Sequence, residues 1–343
     1  MKRITLGDIA ERLNISKMTV SLALRDDPSI GEKTRQQVRT MSQELGYIKN
    51  GIAKGLVSGK TNTIAALVGG ALHDDYQNQL LLNAVDYALS HGYALMIALT
   101  DSNAAIERKT IDRFREMMVD GFLAFHCSDE SNYRYLQELE IPFVLYTKYF
   151  QNFECDYVVC NDKRGGREIT NYLLGLGHKK IVFLYDWGIR GNTEVLNRLH
   201  GYKESLEENG IPYDPNLVVP YNFTREEDST SDYNSELIKC LRSADPPTAI
   251  FACNDTVAAY LYRMLKSIGC KIPEDVSVVG YEGVYLGSMI DPQLTTITSP
   301  IREMGRRSCE LLIQKIEKKI PLNEYKKISL DPILTIRNST IRK

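Results

Sequence analysis

The amino-terminal segment reads ITLGDIAERLNISKMTVSLALR from residue 4 to residue 25. Its first apolar residues recur at the spacing of a helix that buries one face, namely Leu6, Ile9, Ala10 and Leu13. Thr5 precedes them and Asp8 stands three residues later, which is the spacing of a capping box at a helix start. The polar break Asn14-Ile15-Ser16 ends this helix, and Ser16 is placed to begin a second one.

The next two helices complete a small unit. The second helix is predicted to bury three apolar residues, Val20, Ala23 and Leu24. Pro28 prevents its extension, because proline cannot continue a helix. A third helix is predicted from about Glu32 to Leu45, with Gly46 as its carboxyl-terminal stop. Two short helices joined by a tight turn, with a third packed across them, form a helix-turn-helix unit.

The opposite face of the second helix carries residues that are unusual for a surface facing water. Met18 and Leu22 lie there beside Lys17. Apolar side chains suit the thymine methyl groups of the major groove, and a lysine can donate to guanine. Hydroxyl and cationic side chains that suit phosphate oxygens surround this face: Thr5, Ser16, Thr19, Ser21, Arg25 and Thr34. The pattern predicts a surface for duplex DNA, and the alternative is a three-helix bundle used for protein contacts.

Residues 50–60 predict a short helix that is marginal on its own. Asn50 can cap it, and Ile52 and Leu56 share one face. Interior glycines cost about 1 kcal/mol each relative to alanine, and an isolated helix shorter than about 12 residues is marginal in water. We expect it to fold when two copies lie side by side on DNA, with Leu56 as a wedge between base pairs. The alternative is a flexible linker.

The charge distribution supports a polyanionic partner for the amino-terminal segment. The whole chain of 343 residues has a formal net charge of −2. Residues 1–60 hold 11 Lys or Arg against 6 Asp or Glu, a net of +5, so the remainder holds 31 against 38, a net of −7. A basic segment joined to an acidic body is expected of a nucleic-acid-binding module attached to a larger domain.

The remaining residues alternate short apolar runs with helical stretches. Clear apolar runs are 64–68, 121–125 and 249–252, and residues 78–91 and 254–268 have helical spacing. Repeated strand–helix–strand units give parallel sheets covered on both faces. About ten strands are more natural as two doubly wound sheets than as one. Such folds hold small ligands in the cleft lined by the carboxyl ends of their strands.

Polar and aromatic residues follow several of these strands, at the edge where a ligand cleft is expected. They are Asp74, Tyr76, Trp187, Arg198, Asn254, Asp255 and Glu282. Carboxylate, amide and guanidinium groups beside aromatic rings suit a polyhydroxylated or heterocyclic ligand. Each also has a structural alternative: Asp255, for example, can simply cap the helix that follows Asn254.

Motifs of catalytic, metal or membrane function do not occur in the sequence. There is no nucleophile elbow, dinucleotide fingerprint or His-Glu-x-x-His, and the five histidines are not spaced as a metal pair. The seven cysteines form no Cys-x-x-Cys pair, so we predict buried thiols and no disulfide. Neither a long apolar run nor a secretory signal is present. We therefore predict a cytoplasmic protein without cofactor or membrane partner.

With these motifs in hand, the chain closely resembles the LacI/GalR family of bacterial transcription regulators over nearly its full length. The carrying residues in the amino-terminal part are those from Ile4 to Ser21, the segment LGYIKN at 45–50, and Leu56. In the body they are the segments GHKKI at 177–181, ACND at 252–255, PEDVSVVGY at 273–281 and LTTI at 294–297.

The resemblance implies a homodimeric repressor that binds a near-palindromic DNA operator and responds to a small-molecule effector, most simply a sugar. It assigns base contacts to Lys17, Met18 and Leu22. It assigns phosphate or hinge contacts to Thr5, Ser16, Thr19, Ser21, Arg25, Thr34, Tyr47, Asn50, Ala53 and Leu56. It assigns effector contacts to Tyr76, Arg198, Phe223, Asn254 and Glu282. Where relatives usually have Gly-Tyr/Phe-Asp-Asp, this chain has Gly280-Tyr281-Glu282-Gly283.

The expected architecture is an all-α helix-turn-helix headpiece followed by an α/β core of two doubly wound parallel-sheet lobes, similar to periplasmic binding proteins. The headpiece is expected at 1–49, the hinge at 50–60 and the core at 61–340. Lobe 1 is expected to comprise about 61–161 and 293–322, and lobe 2 about 162–292 and 323–340. The alternative functions are a cytoplasmic small-molecule-binding module without a DNA role, and a hydrolase acting in the cleft.

Overall fold

A computed structural model describes residues 4–48, 60–69, 75–125, 127–186, 192–221 and 235–343. The chain divides into two compact units, residues 1–61 and residues 62–343, which we call the head and the core. Within the described ranges, no helix is long and apolar enough to cross a membrane.

The head contains the three predicted helices, α1 (Leu6–Leu13), α2 (Lys17–Ala23) and α3 (Glu32–Glu44). The predicted capping box at α1 is present, since the Thr5 backbone N–H donates to the Asp8 carboxylate at 2.7 Å and the Asp8 N–H donates to the Thr5 hydroxyl oxygen. Ser16 caps α2 by accepting the Thr19 N–H at 3.0 Å. The predicted inward positions form the head core, in which Ile9, Ala10, Val20, Ala23 and Val38 are buried.

The first lobe of the core is a six-stranded sheet in the order β11-β5-β4-β3-β1-β2, with every pair parallel. Its strands are β1 (Thr63–Val68), β2 (Ala94–Leu99), β3 (Gly121–Phe125), β4 (Phe143–Tyr146), β5 (Tyr157–Cys160) and β11 (Lys327–Leu330). Alternate residues face opposite sides, as the two-residue strand period requires. Ile64 and Val68 pack with α4 (Asp75–Ser90) and α12 (Ile301–Ile316). Leu67 packs with α5 (Ala104–Glu116) and α6 (Glu130–Glu138) on the other face.

The second lobe is a six-stranded sheet in the order β12-β10-β9-β8-β6-β7, parallel except for the pair of β12 with β10. Its strands are β6 (Ile181–Asp186), β7 (Val218–Tyr221), β8 (Ala249–Ala252), β9 (Ser277–Glu282), β10 (Thr295–Thr298) and β12 (Ile333–Thr335). Its helices are α7 (Asp162–Gly175), α8 (Thr193–Glu208), α9 (Ser235–Leu241), α10 (Asp255–Ser267) and the short α11 (Leu286–Met289). This two-lobe α/β architecture is the predicted fold class.

The expected lobe boundaries near the carboxyl terminus need correction. Residues 293–322 were expected in lobe 1, yet β10 pairs with β9 and β12 in the second sheet, and only α12 packs on the first lobe. Residues 323–340 were expected in lobe 2, yet β11 pairs with β5 in the first sheet. The sheet to which each of these strands belongs is set by pairing with strands that are distant in the sequence, and the local sequence pattern does not specify that pairing.

The cysteines carry no disulfide. All seven are free thiols; Cys240 and Cys270 are partly exposed, and the other five are buried. The prediction of unpaired cysteines is therefore confirmed, with burial at five of the seven positions.

Candidate functional site

The head presents the predicted apolar and basic face on α2. Met18 is 66% exposed, a large value for an apolar side chain, and Lys17 beside it is exposed as well. Leu22 lies one helical turn further and is half-buried. The Lys17 stem lies across Gly7, because a methyl group added there would come within 3.0 Å of its Cε. The three residues expected to contact bases thus lie on one side of one helix.

The residues expected to contact phosphates lie around this face, and they differ in exposure and in the hydrogen bonds that they already make. Thr5, Ser16 and Thr19 already take part in the caps of α1 and α2, with the Ser16 and Thr19 hydroxyl oxygens 2.9 Å apart. Thr5, Ser16 and Arg25 are exposed, and the half-buried members of the set are Thr19, Ser21, Thr34 and Tyr47. Asn50, Ala53 and Leu56 lie outside the described residues, as do the cleft candidates Asp74, Trp187 and Phe223.

In the core, the effector candidates gather around one buried arginine. Arg198 on α8 is 2% exposed. Its Nε donates to Asp162 Oδ1 at 2.8 Å, and one Nη donates to the Cys253 carbonyl oxygen at 2.7 Å and lies 3.5 Å from Glu282 Oε1. The guanidinium carbon lies 3.9 Å from the centre of the Tyr281 ring. A buried charge is tolerated only when its donors are occupied in this way.

Glycines at the crossing of α7 and α8 make this contact possible. A Cβ on Gly201 would overlap the Lys163 carbonyl oxygen, and a Cβ on Gly166 would overlap the Arg198 backbone. A Cβ on Gly165 would overlap the Tyr281 ring. The two helices therefore approach closely enough for Arg198 to reach the first turn of α7, where Asp162 lies.

The electrostatics of this cluster follow from burial. Burial raises the pKa of Asp162 to about 6, and the neighbouring Arg198 opposes that rise. Burial also raises the pKa of Tyr76 on α4, with the charges of Glu282 and Asp162 adding to it. Tyr76 belongs to the first lobe and Arg198 to the second, so the cluster lies where the two lobes meet. Perturbed groups at such a boundary are typical of a binding site.

Asn254 and Asp255 occupy different surroundings although they are neighbours in sequence. Asn254 caps α10 by accepting the Val257 N–H at 2.8 Å, and it follows Cys253, whose carbonyl oxygen holds Arg198. Asp255 is fully buried and accepts the Thr296 hydroxyl at 2.6 Å and the Val284 N–H at 2.9 Å. The alternative that Asp255 caps the helix is therefore wrong, because Asn254 fills that role.

Of the effector candidates in described positions, the structure brings together Tyr76, Arg198 and Glu282, and Asn254 directly follows Cys253, whose carbonyl oxygen accepts from Arg198. Sequence reasoning missed Asp162 and Tyr281. A signal was available for Asp162, since Cys160-Asn161-Asp162 repeats Cys253-Asn254-Asp255 after a second strand.

The chemistry available here is binding through hydrogen bonds. Carboxylates accept from hydroxyl groups, and a guanidinium donates to hydroxyl or ring oxygens in a fixed fork. Among the described residues, no group of His, Cys, Asp and Glu is arranged to hold a metal ion. Burial raises the pKa of the Cys160 and Cys253 thiols to about 12, so neither is a ready thiolate.

Comparison with known proteins agrees with both units. The sequence model for bacterial regulatory proteins of the lacI family matches residues 5–50, and that for a periplasmic binding protein-like domain matches residues 170–340. The regulator DegA of Bacillus subtilis is 30% identical over 342 residues, covering 98% of both chains. The ribose operon repressor of Haemophilus influenzae is 30% identical over 345 residues, also covering 98% of both chains.

A solved structure supports the fold independently. The LacI family transcriptional regulator of Enterococcus faecium with bound ribose has a TM-score of 0.69 and 28% identity, covering 82% of this chain and 99% of its own. A helix-turn-helix head joined to a two-lobe core of this kind defines the class of DNA-binding transcription regulators that carry a ligand-binding domain. The chain belongs to the lacI family of bacterial regulatory proteins.

Proposed function

We propose that this protein is a dimeric cytoplasmic repressor. Its affinity for a near-palindromic DNA operator is controlled by a sugar-like effector that binds between the two lobes of the core. The observation that carries the proposal is the combination, in one chain, of an exposed face on α2 with a buried Arg198 cluster at the lobe boundary. The first suits DNA and the second suits a small polar ligand. The proposed role is binding without catalysis, which the high thiol pKa values support.

For the head, we propose base contacts by Lys17, Met18 and Leu22. The exposure of Met18 supports a partner on this face, because an isolated apolar side chain gains nothing from water. The Ser16 hydroxyl can donate to a phosphate oxygen when Thr19 donates to it, whereas the Thr5 hydroxyl already donates to Asp8 Oδ2 at 2.6 Å and must turn away from Asp8 to reach a phosphate. Residues 50–60, and Leu56 in particular, are proposed as the hinge that opens the central base step.

For the core, we propose a neutral polyhydroxylated effector in contact with Tyr76, Arg198, Asn254 and Glu282. The ribose operon repressor and the ribose-bound regulator of Enterococcus faecium are relatives whose names specify a pentose. The mixture of carboxylates and one guanidinium in the cluster supports a ligand with several hydroxyl groups. Phe223 is proposed as an aromatic wall of the same site.

For the dimer, we propose an interface along one side of the core. Strand β2 is at the edge of the first sheet, and Ile97 and Leu99 on it are exposed. Leu82 and Leu89 on α4 are each 61% exposed, and Tyr285 and Met289 of the second lobe are exposed too. Exposed apolar residues in this number are expected of an interface between subunits.

The proposed mechanism is a shift between two lobe arrangements. The effector favours one arrangement, which changes the spacing of the two hinge segments in the dimer. A coupling of about 1–3 kcal/mol would change operator affinity roughly 5–150-fold. Repression or its relief then depends on which arrangement the effector stabilises.

Two measurements test this proposal. Operator selection from random duplexes, followed by binding at fixed salt, should show that Leu56→Ala weakens specific binding far more than non-specific binding. In a thermal-shift screen with pentoses, hexoses and purines, one class of sugar should raise the melting temperature of the protein. The proposal is wrong if no duplex is selected with or without those small molecules.

A further inference from the structure

The turn that follows β9 carries Glu282, and its backbone is strained. Glu282 has a φ of +100° and Gly283 a φ of +73°. The left-handed region costs free energy for a residue with a Cβ, and such strain persists only where surrounding structure enforces it. On one side of the turn the Ser299 N–H donates to the Glu282 carbonyl oxygen at 3.1 Å.

A buried carboxylate holds the other side of this turn. Asp255 accepts the Val284 N–H at 2.9 Å with one oxygen, and its second oxygen accepts the Thr296 hydroxyl at 2.6 Å. It therefore ties the turn to strand β10, which lies next to β9 in the second sheet. Asp255 is fully buried, so water does not compete for these two bonds.

Close packing around Asp255 restricts both the carboxylate and the turn that it holds. A Cβ on Gly280 would overlap Asp255 Oδ1, and a Cβ on Gly283 would lie 2.6 Å from the Thr298 Cα. The carboxylate thus fills the space that a side chain on β9 would otherwise occupy. Burial raises its pKa to about 7, opposed by the Thr296 and Val284 hydrogen bonds, with the charge of Arg337 as a weaker opposing effect.

Two contacts between groups outside Asp255 depend on the course of this turn. The Glu282 carboxylate lies 3.5 Å from the Arg198 guanidinium. Three residues later the Tyr285 N–H donates to the Asp75 carboxylate of the first lobe at 3.1 Å. The position of Glu282 in the Arg198 cluster and one hydrogen bond between the two lobes therefore both depend on the geometry of this turn.

We propose that Asp255 is a positioning residue for the effector site: it clamps the turn at Glu282–Val284 and so holds Glu282 on Arg198 and Tyr285 on Asp75. The role of Glu282 in effector binding is the one proposed above, and the clamp rests on it. Asp255 is bonded to the turn through Val284 and to β10 through Thr296, so it acts on the effector site through the backbone of the turn.

The first test compares alanine and glycine at position 282 in three backgrounds, using thermal unfolding without any small molecule. Both substitutions remove the carboxylate, so their difference reports the backbone alone. In the otherwise unchanged protein, Glu282→Gly should melt about 2 °C or more above Glu282→Ala, because glycine adopts positive φ without strain. With Asp255→Ala added, no side-chain oxygen remains to accept the Val284 N–H, so the turn can relax and alanine should equal or exceed glycine.

Thr296→Val is the matched control, since it removes the other hydrogen bond of Asp255 and leaves the bond to Val284. In that background glycine should keep its advantage. A glycine advantage that persists with Asp255→Ala would overturn the proposal, because something other than Asp255 would then enforce the strain. Equal melting of the two variants in the unchanged protein would overturn it as well.

Hydrogen exchange supplies a second readout that needs no folded variant of Asp255. In the unchanged protein the Val284 amide should exchange at least about tenfold more slowly than the amides of exposed turns, because a buried acceptor holds it. Exchange as fast as in exposed turns would overturn the clamp. These tests contain no effector. Failure to find a sugar ligand would therefore count against the proposed function, whereas the results on the Asp255 clamp would remain valid.

Discussion

The same three residues, Cys-Asn-Asp, follow one strand in each lobe. Cys160 is the last residue of β5 and Cys253 directly follows β8, and the two aspartates, Asp162 and Asp255, are the first residues of α7 and α10. Both asparagines cap their helices, accepting the N–H of Arg164 and of Val257. Both aspartates are buried in the first helical turn. The two sites are thus alike in everything that local sequence controls.

They differ in what the aspartate meets. Asp162 faces a cation, Arg198, at 2.8 Å, whereas Asp255 accepts from the Thr296 hydroxyl and from backbone N–H groups of the turn. Burial raises both pKa values, to about 6 for Asp162 and about 7 for Asp255. The same local sequence therefore serves two purposes: the first aspartate orients the arginine that is proposed to bind the effector, and the second is proposed to hold a strained turn.

The largest expected effect comes from removing the cation of the first site. Arg198→Met should lower the free energy of unfolding by about 3–5 kcal/mol at neutral pH, because Asp162 is left buried without its partner. Urea unfolding measures it. The matched control is Arg167→Met, which removes an exposed ion pair with Glu208 between the same two helices and should cost about 0–1 kcal/mol.

A double variant sharpens this result. Asp162→Asn combined with Arg198→Met should recover part of the loss, since the buried charge at position 162 is removed together with its cation, while Glu282 still loses its contact with the arginine. If the double variant is as unstable as Arg198→Met alone, the loss comes from packing around the arginine and the pairing with Asp162 is not the cause.

The second expected effect is a dependence of the free energy of unfolding on pH, which arises from Asp255. The folded pKa of Asp255 is about 7, against 3.8 for the ordinary aspartate, so the folded state binds its proton more tightly. The stability that Asp255 contributes is therefore complete below about pH 4 and is lost as the pH rises through about 7. Relative to Asp255→Asn, the unchanged protein should lose roughly 2–4 kcal/mol of unfolding free energy from pH 4.5 to pH 8.

Urea unfolding at several pH values, with the Asp255→Asn variant alongside, isolates this effect from other titrating groups. Asp162→Asn provides the comparison between the two sites, and because the folded pKa of Asp162 is lower its difference curve should bend at a lower pH. A pH-independent difference between the unchanged protein and Asp255→Asn would mean that Asp255 keeps its ordinary pKa and that its burial is compensated.

The sequence was sufficient for features that local pattern controls. The capping box at Thr5 and the apolar runs at 121–125 and 249–252 were predicted with their observed bounds. β7, β11 and β12 were not predicted; each is only three or four residues long, with no fully buried run. Their assignment depends on pairing with distant strands, which a short half-exposed segment does not encode.

The candidate site shows the same division. The sequence identified Tyr76, Arg198 and Glu282 by their residue types at strand ends and by family resemblance, and the structure places them together. Asp162 was missed because its partner lies 36 residues away, on another helix. The inward role of Asp255 depends on the missing side chain of Gly280 and on Thr296 of a later strand, so no local spacing indicates it.

The smallest expected effect concerns the two caps, where the sites should behave alike. Asn161→Ala and Asn254→Ala should each cost about 1 kcal/mol of unfolding free energy, because each leaves one helix N–H without its acceptor. Urea unfolding of both variants under one condition tests this equality. Their effects on sugar binding should differ, since Asn254 is proposed to contact the effector and Asn161 instead donates to Asp331 at 2.9 Å. If Asn161→Ala impairs the thermal shift by the sugar as strongly as Asn254→Ala does, the loss arises from helix fraying in general. The assignment of Asn254 to the effector site would then have to be abandoned.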